Sequence, residues 1–352
     1  FGIGATLAAP LLAEAGYDKT TIGLNTSIYY LGVAVASVAL TWLPRAPGRT
    51  VVVAGMLRCG FRVDDPVVSR GLRYLEKSVK KDGGIYDKGL ANYTTSVAIM
   101  ALHEANKDGK YDSILKNASA YLKRLQSDVE EGDVKFGGVG YGKGDRPDLS
   151  NTQFFVDALI AAGVPKDDPA VQRAMKFVSR CQNLPGETND QPFAKKTTED
   201  DKGGLVYVPD LDDKKHKTPD GGLRSLGAMT YGGLKSFLYA GVNKDDPRVK
   251  GAVNWIRRHY TLDENPGMGQ AALYYYYHTF GKAMAALGED RFEDAKSQKH
   301  DWRRELFEAI KKRQQDNGSF RNKADKQFGE ADPNLATGFA LLALSYTKTP
   351  KK

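Results

Sequence analysis

The segment AGVPKDDPAVQRAMKFVSRCQ (residues 162–182) has two near copies, CGFRVDDPVVSRGLRYLEKSV (59–79) and AGVNKDDPRVKGAVNWIRRHY (240–260). In each copy an Asp-Asp-Pro triplet precedes a run in which apolar residues recur every three or four positions. Asp caps free backbone N–H groups at a helix start, and Pro fits the first helical position, where its missing N–H costs nothing. Each copy therefore predicts a helix that begins at the Pro and buries one face.

Segments that are apolar on nearly all sides alternate with these one-faced helices. A helix without a polar face is expected to be buried all round. The six such segments are 51–60, 92–105, 151–163, 228–241, 270–288 and 333–346. Further one-faced helices are predicted at 111–126 and 300–314. The alternation predicts an all-α fold, an α/α toroid of six inner helices ringed by five outer ones.

Residues 1–50 form an apolar N-terminal segment, predicted to be helical, that we separate from a toroid domain at 51–352. No charged residue occurs from Thr20 to Pro44. Residues 20–44 approach the length of a membrane span, and with Arg45 and Arg49 would place the toroid on the cytoplasmic face. The alternatives are a soluble protein in which this helix packs on the toroid, and a fusion fragment. The segment that ends in LPRAPGR resembles part of a major facilitator transporter.

Composition excludes some classes of function. The formal net charge of +8 is spread over lysine pairs with carboxylates between them. Nucleic-acid-binding proteins instead cluster their basic residues, so no nucleic-acid partner is predicted. The two cysteines, Cys59 and Cys181, exclude a cysteine zinc cluster and a disulfide scaffold.

Two short motifs carry a family resemblance. Residues 314–320 read QQDNGSF, and residues 81–85 read KDGGI as a weaker copy. The chain over 51–350 resembles the prenyltransferase/squalene oxidase repeat proteins of the terpenoid cyclase and protein prenyltransferase β-subunit superfamily. The resemblance implies a toroid in which the N-terminal ends of the inner helices face a central cavity.

The run YYYYHTF (274–280) lies on one of the apolar segments. A ring of tyrosines on a buried helix is suited to line an apolar cavity for an isoprenoid-type ligand, and the alternative is a packed aromatic core. Residues placed by the resemblance at the cavity are Asn92, Tyr93, Asn151, Gln153, Thr230, Tyr231, Tyr276, His278, Asp332 and Asn334. The ligand-binding residues we predict are Tyr231, Tyr276, His278, Asn151, Gln153 and Arg224.

No cofactor is predicted. In the prenyltransferase β subunits, an Asp-x-Cys pair and a His in a His-Thr context hold zinc, and an Arg binds diphosphate. His278 and Arg224 match that pattern, but Thr230 and Gly232 stand where the Asp and Cys are required. A catalytic zinc needs three protein ligands, so zinc is not expected.

Two residues are candidates for a catalytic acid. The cyclases of the superfamily protonate an alkene with the middle Asp of an Asp-x-Asp-Asp motif, which DLDD at 210–213 matches with Asp212 in the middle. Its neighbours in a lysine-rich loop favour ionised, solvated carboxylates instead. Asp332 is the second candidate because it starts an inner helix. As the alternative, Asp332 is another helix cap.

These observations predict a protein that binds an isoprenoid-type apolar ligand in the centre of a toroid, as a cyclase-like enzyme or as a binder. The missing zinc ligands and the position of the acidic motif in a lysine-rich loop favour a non-catalytic protein. The alternative from another class is a non-catalytic scaffold that binds a protein partner. An open aromatic pocket of several hundred Å3 would favour the ligand, and a core filled by tyrosines the scaffold.

Overall fold

Helices make up most of the chain in the computed structural model, which describes residues 46–87, 89–210 and 213–348. In chain order they are α1 (Ala46–Arg58), α2 (Pro66–Ser78), α3 (Ala91–Ala105), α4 (Asp112–Leu125), α5 (Leu149–Ala161), α6 (Pro169–Arg180), α7 (Gly227–Tyr239), α8 (Pro247–Arg258), α9 (Leu273–Leu287), α10 (Trp302–Lys311) and α11 (Pro333–Ser345). A short 3₁₀ turn (Ala194–Lys196) precedes α7. Strands β1 (Phe292–Glu293) and β2 (Lys299–His300) pair antiparallel before α10, with Phe292 opposite His300.

The odd-numbered helices form a closed ring. Each packs against the next odd-numbered helix along the chain, and α11 packs against α1. The even-numbered helices lie outside this ring, each against one or both of its neighbours in the sequence. The described part of the chain thus has six inner and five outer helices, and the predicted α/α toroid is confirmed.

Burial follows the two hydrophobic patterns of the sequence. In α7 every residue from Gly227 to Phe237 is buried, whereas α8 buries only Val249, Ala252, Trp255 and Ile256. The inner helices have neighbours on all sides, and the outer helices leave one face to solvent.

The repeated Asp-Asp-Pro triplets start outer helices as predicted. The carboxylates of Asp65, Asp168 and Asp246 each accept a hydrogen bond from the backbone N–H two residues later, and Pro follows at the first helical position. These three N-caps set where α2, α6 and α8 begin.

Four loops share a tight turn, which we call the Gly-turn: a Gly with positive φ, then Gly or Ser, then an apolar residue. The Gly-turns are 83–85, 137–139, 203–205 and 318–320. In each, the backbone N–H of the apolar residue donates to a threonine hydroxyl on the following inner helix, at 2.9–3.0 Å. The four threonines are Thr95, Thr152, Thr230 and Thr337. This bond fixes the loop to the first or second turn of the inner helix that follows it.

Glutamines tie two of the Gly-turns to the next outer helix. Gln126 Nε2 donates to the carbonyl oxygens of Gly137 and Ala170, at 2.9 and 2.8 Å. Gln182 Nε2 donates in the same way to Gly203 and Arg248. Each glutamine therefore joins the end of one outer helix, its own Gly-turn and the first turn of the next outer helix. The turns at 137–139 and 203–205 are two copies of the motif that the sequence analysis missed.

The predicted boundary between residues 50 and 51 falls inside α1, which begins at Ala46 and packs in the ring. Thr50 is buried there. The predicted membrane contact of residues 20–44, and the helix predicted for the segment before Ala46, lie outside the described residues. No helix within the described ranges has both the length and the hydropathy needed to cross a membrane. Cys59 and Cys181 are buried free thiols.

Replacement of Gly137 by Ala should test the Gly-turn. Gly137 has φ +77°, and a Cβ there would lie 2.1 Å from the carbonyl oxygen of Arg173 on α6. We expect Gly137→Ala to lower the free energy of unfolding by about 3 kcal/mol, because backbone strain and steric overlap add. Urea unfolding followed by circular dichroism would measure the change.

Gly144→Ala is the matched control. Gly144 has φ +80°, but a Cβ there would meet no atom within 4 Å. Its cost should therefore be the strain alone, about 1 kcal/mol. Equal losses in the two variants would contradict the packing role of Gly137.

Candidate functional site

A cavity of about 670 Å3 opens where the inner helices begin. Residues from α3, α5, α7, α9 and α11 form its walls, and the loops that precede these helices form its rim. Its lining includes Leu90, Tyr93, Tyr141, Asp148, Ser150, Asn151, Tyr207, Leu226, Met229, Met268, Tyr275, Phe328, Glu330, Leu335 and Phe339. Polar and charged residues are also present, but most of the surface of the wall is apolar.

Charged residues lie at the rim of this pocket. Arg146 donates to Asp210 at 3.1 Å, and His216 Nδ1 lies 2.7 Å from Asp213 Oδ2. Burial alone would raise the pKa of Asp213, but the hydrogen bonds with His216 and the positive charges of His216 and Arg146 together lower it. The acidic loop therefore borders the pocket with an ionised carboxylate at Asp213.

Two buried carboxyl groups line the wall. Asp148 is the N-cap of α5, and its two oxygens accept from the backbone N–H and the side-chain Nδ2 of Asn151, at 2.7 and 2.8 Å. Glu330 accepts from the backbone N–H of Tyr275 at 2.7 Å and from Asn322 Nδ2 at 2.9 Å. Each carboxyl group thus caps the start of an inner helix, α5 by Asp148 and α9 by Glu330.

Burial changes the titration of both groups. Loss of hydration raises the pKa of Asp148 to about 6 and that of Glu330 to about 7, although the N–H donors oppose the shift. Carboxyl groups with such shifts in a cleft are candidates for function. Their oxygens nevertheless face N–H donors, an arrangement that favours an acceptor over a proton donor.

The four tyrosines of the run point in different directions. Tyr275 lines the pocket. Tyr276 and Tyr277 point away from it and donate to the carbonyl oxygens of Thr261 and Leu262, each at 2.6 Å. Tyr274 packs edge-on against Phe320. One ring of the run therefore serves the pocket, and three pack between α9 and its surroundings.

His278 lies under the pocket, one helical turn below Tyr275. It is buried, and its ring stacks between Phe154 and Phe339 with centroids 6.2 and 5.9 Å away. Neither ring nitrogen has a hydrogen-bond partner among the described residues. Burial and nearby lysines lower the pKa of His278 well below its ordinary value, so the ring is neutral.

Below His278 the centre of the ring holds three charged side chains, Asp157, Lys235 and Lys282, which we call the ion cluster. Both lysine Nζ atoms donate to Asp157 Oδ2, at 2.6 and 2.7 Å. Asp157 and Lys235 are fully buried and Lys282 nearly so. Lys235 also donates to Gln153 Oε1, and Gln153 Nε2 donates to the Tyr275 hydroxyl at 3.1 Å. A hydrogen-bonded chain thus connects the ion cluster to the pocket floor.

The charges of the ion cluster do not balance, because two lysines share one carboxylate. Burial would raise the pKa of Asp157, but the two lysines hold it below its ordinary value. Burial lowers the pKa of Lys235 to about 7. Burial opposes the charge of Lys282 as well, but Asp157 raises its pKa. Of the two lysines, Lys235 is therefore the one whose charged form is destabilised.

A family model and two solved structures are similar to this chain. A family model described as squalene-hopene cyclase C-terminal domain matches residues 39–198. The resemblance to the terpenoid cyclases is confirmed. No curated protein matches the chain.

Two solved structures are similar to the chain, both of variants of the type II terpene cyclase MstE from Scytonema in complex with geranylgeranyl dihydroxybenzoate. One is 14% identical with a TM-score of 0.39, and the other is 15% identical with a TM-score of 0.37. Each match covers 98% of this chain and 86% of the other.

The structure separates the predicted ligand-binding residues. Asn151 lines the pocket, and Gln153 lies behind the pocket wall. Tyr231 and Tyr276 pack edge-on in the core, away from the cavity. Arg224 is exposed beside Trp255 and His259, in a separate shallow depression. The pocket residues that sequence reasoning missed include Tyr275, Asp148 and Glu330.

Of the two candidate acids, the structure describes only Asp332. Asp332 is exposed and accepts from the backbone N–H of Asn334 at 2.9 Å, as the N-cap of α11. It lacks the shielding that a protonated acid requires, so the alternative reading as a cap describes its position. Asp212 lies outside the described residues. In the described part of the chain, no group of three His, Cys, Asp or Glu residues could hold a metal ion, and the absence of zinc stays a prediction.

Removal of the carboxylate from the ion cluster should be costly. Asp157→Asn leaves two buried lysines without a counter-charge, and we expect a loss of about 3–5 kcal/mol in the free energy of unfolding. The triple variant Asp157→Leu, Lys235→Met, Lys282→Met removes all three charges and should be more stable than the single variant. Urea unfolding would compare them. A loss below about 1 kcal/mol for Asp157→Asn would contradict the pairing.

Glu330 should make the stability depend on pH. Because its folded pKa of about 7 exceeds the 4.5 of an exposed Glu, the folded chain keeps a proton that the unfolded chain has lost between these values. The contribution of Glu330 to the free energy of unfolding should therefore fall as the pH rises from 4.5 to 7. Glu330→Gln should remove this fall in urea unfolding at pH 4.5 and 7.5. The exposed Glu308→Gln is the control, and identical pH profiles for all three proteins would refute the shift.

Proposed function

We propose that the toroid binds an apolar, isoprenoid-type molecule in the pocket at the start of its inner helices. The observation that carries this proposal is a cavity of about 670 Å3 whose wall has a mostly apolar surface. Pockets of a few hundred to about 1,000 Å3 with apolar walls and a few polar groups are typical of small-molecule sites. The family match supports the same class of ligand.

The charged rim is compatible with an amphipathic ligand. Arg146, Lys215 and His216 surround the mouth, while Met229, Leu335 and Phe339 give the interior an apolar wall. A molecule with an apolar body and a polar end would leave that end near the rim or bring it to a polar group within the pocket.

Binding of the ligand without its cyclisation is the function that we favour. Protonation of an alkene needs a carboxylic acid whose O–H points at the substrate. The pocket carboxyl groups of Asp148 and Glu330 accept helix N–H groups, and Asp213 pairs with His216. These three of the acids that the structure describes around the pocket therefore have oxygens that already face donors of the protein.

The alternative function is a scaffold for a protein partner. The core is indeed filled by Tyr231, Tyr276 and Tyr277, as expected for a scaffold. The open pocket above them, however, has the size and lining expected for a ligand site. A scaffold does not require such a cavity to bind a protein partner, so we favour the ligand-binding function.

A substitution that fills the pocket tests this proposal. Leu335 lies in the wall and is only partly buried, so Leu335→Trp should occupy part of the cavity without disturbing the ring. We expect it to weaken the binding of geranylgeraniol at least tenfold in isothermal titration calorimetry, because ligand and indole compete for the same volume. Val63→Trp, at an exposed position outside the pocket, is the control. Unchanged affinity in Leu335→Trp, or no binding by the wild type, would overturn the proposal.

A further inference from the structure

The floor of the pocket carries a pair of hydroxyl groups. Tyr275 Oη and Ser150 Oγ lie 2.9 Å apart, and either can donate to the other. Both residues line the cavity and are partly exposed to it, Tyr275 from α9 and Ser150 from α5. They are therefore in reach of the inner end of a bound molecule.

The ion cluster sets the direction of the hydrogen bonds beneath this pair. A lysine ammonium group has donors only, so the Gln153 atom that faces Lys235 must be the acceptor Oε1. The amide nitrogen of Gln153 then faces Tyr275 and donates to its hydroxyl oxygen, at 3.1 Å. Tyr275 Oη is consequently an acceptor towards the interior of the protein.

A count of the two hydroxyl protons leaves one of them without a partner. The hydroxyl groups of Tyr275 and Ser150 carry two protons, and one of them forms the bond between the two oxygens. Gln153 cannot accept the other, because it donates. The described residues offer these hydroxyls no further acceptor, since their hydrogen bonds are those with each other and with Gln153. The second proton is left to point into the cavity.

We infer that this hydroxyl pair donates a hydrogen bond to an oxygen at the inner end of the ligand, so that the pocket selects an oxygen-bearing apolar molecule over a pure hydrocarbon. The inference rests on the proposed function, and it adds a chemical class to the ligand. Tyr275 and Ser150 are specificity-determining residues. Gln153 and Lys235 are positioning residues, which act only by directing the hydroxyl protons.

The physical basis of the selection is the penalty for an unpaired donor. A hydrocarbon that covers the hydroxyl pair would exclude water without replacing its hydrogen bond. An ether or carbonyl oxygen in the same place would accept the free proton. A difference of roughly tenfold in affinity is expected from one such bond.

The test compares two probes on the full chain at pH 6, where Lys235 holds its proton. The first probe is geranylgeranyl methyl ether, which has an acceptor oxygen and no donor, and the second is the corresponding hydrocarbon. The wild type should bind the ether about tenfold more tightly. The double variant Tyr275→Phe, Ser150→Ala should bind both probes equally, whereas each single variant keeps one free hydroxyl proton and part of the preference.

Gln153→Glu tests the direction of the hydrogen bonds between Lys235 and Tyr275 without a change in the pocket wall. A carboxylate at position 153 would accept from both Lys235 and the Tyr275 hydroxyl, which uses up the free proton. The preference for the ether should therefore disappear, because the hydrocarbon no longer covers an unpaired donor and the ether oxygen no longer finds one. Tyr276→Phe is the control, because that hydroxyl donates to Thr261 and does not face the pocket. Circular dichroism would confirm that each variant is folded.

The outcomes separate the two proposals. Binding of both probes by the wild type with equal affinity would leave the ligand-binding function standing and overturn the hydroxyl donor. A preference that survives in both the double variant and Gln153→Glu would overturn it as well. Binding of neither probe would overturn the proposed function and, with it, the inference.

Discussion

The ring depends on one hydrogen bond, repeated four times, from the N–H that ends a Gly-turn to a threonine hydroxyl on the following inner helix. The same threonines at 152 and 230 donate to the carbonyl oxygen four residues earlier, so each hydroxyl serves both the helix and the loop. The glycines let the loop approach the next outer helix closely, and an added Cβ at Gly203 would lie 2.2 Å from the Gly251 oxygen. One contact thus holds an outer helix, a loop and an inner helix together.

Burial divides the inner surface of the toroid into a filled part and an open part. Rings such as Tyr231, Tyr276 and Phe280 pack against one another on the side that faces the outer layer, where Phe280 contacts Tyr260 and Trp302, and the ion cluster occupies the centre. Towards the helix starts the ring is open, and Tyr93, Tyr275 and Phe339 face the cavity. A buried ion cluster is weak evidence for stability, since its desolvation is costly. Its position directly under a polar pocket floor is better explained by the orientation it imposes on Gln153.

The sequence predicted the elements better than the side-chain directions. The Asp-Asp-Pro caps and the alternation of helix types follow from local capping and periodicity, and they led to the toroid. The sequence analysis places both Tyr276 and His278 at the cavity. Side chains two positions apart on a helix point about 200° apart, however, so these two cannot face the same cavity. Tyr275 and His278, three positions apart, share a face. That geometry was available from the sequence. The pairing of Glu330 with the start of α9 was not, because it joins residues 55 positions apart.

The hydrogen bond from each Gly-turn to its threonine also fixes both ends of the loop between them, which forms part of the rim of the pocket. Between Val139 and Thr152 the chain leaves the ring, contributes Tyr141, Arg146 and Asp148 to the pocket, and returns. Closing a flexible loop costs only about 0.6 kcal/mol more for each doubling of its length. Insertions in these segments would therefore strain the helices little. The toroid can exchange the walls of its binding site much as an antibody exchanges its variable loops, with the anchoring turns left in place.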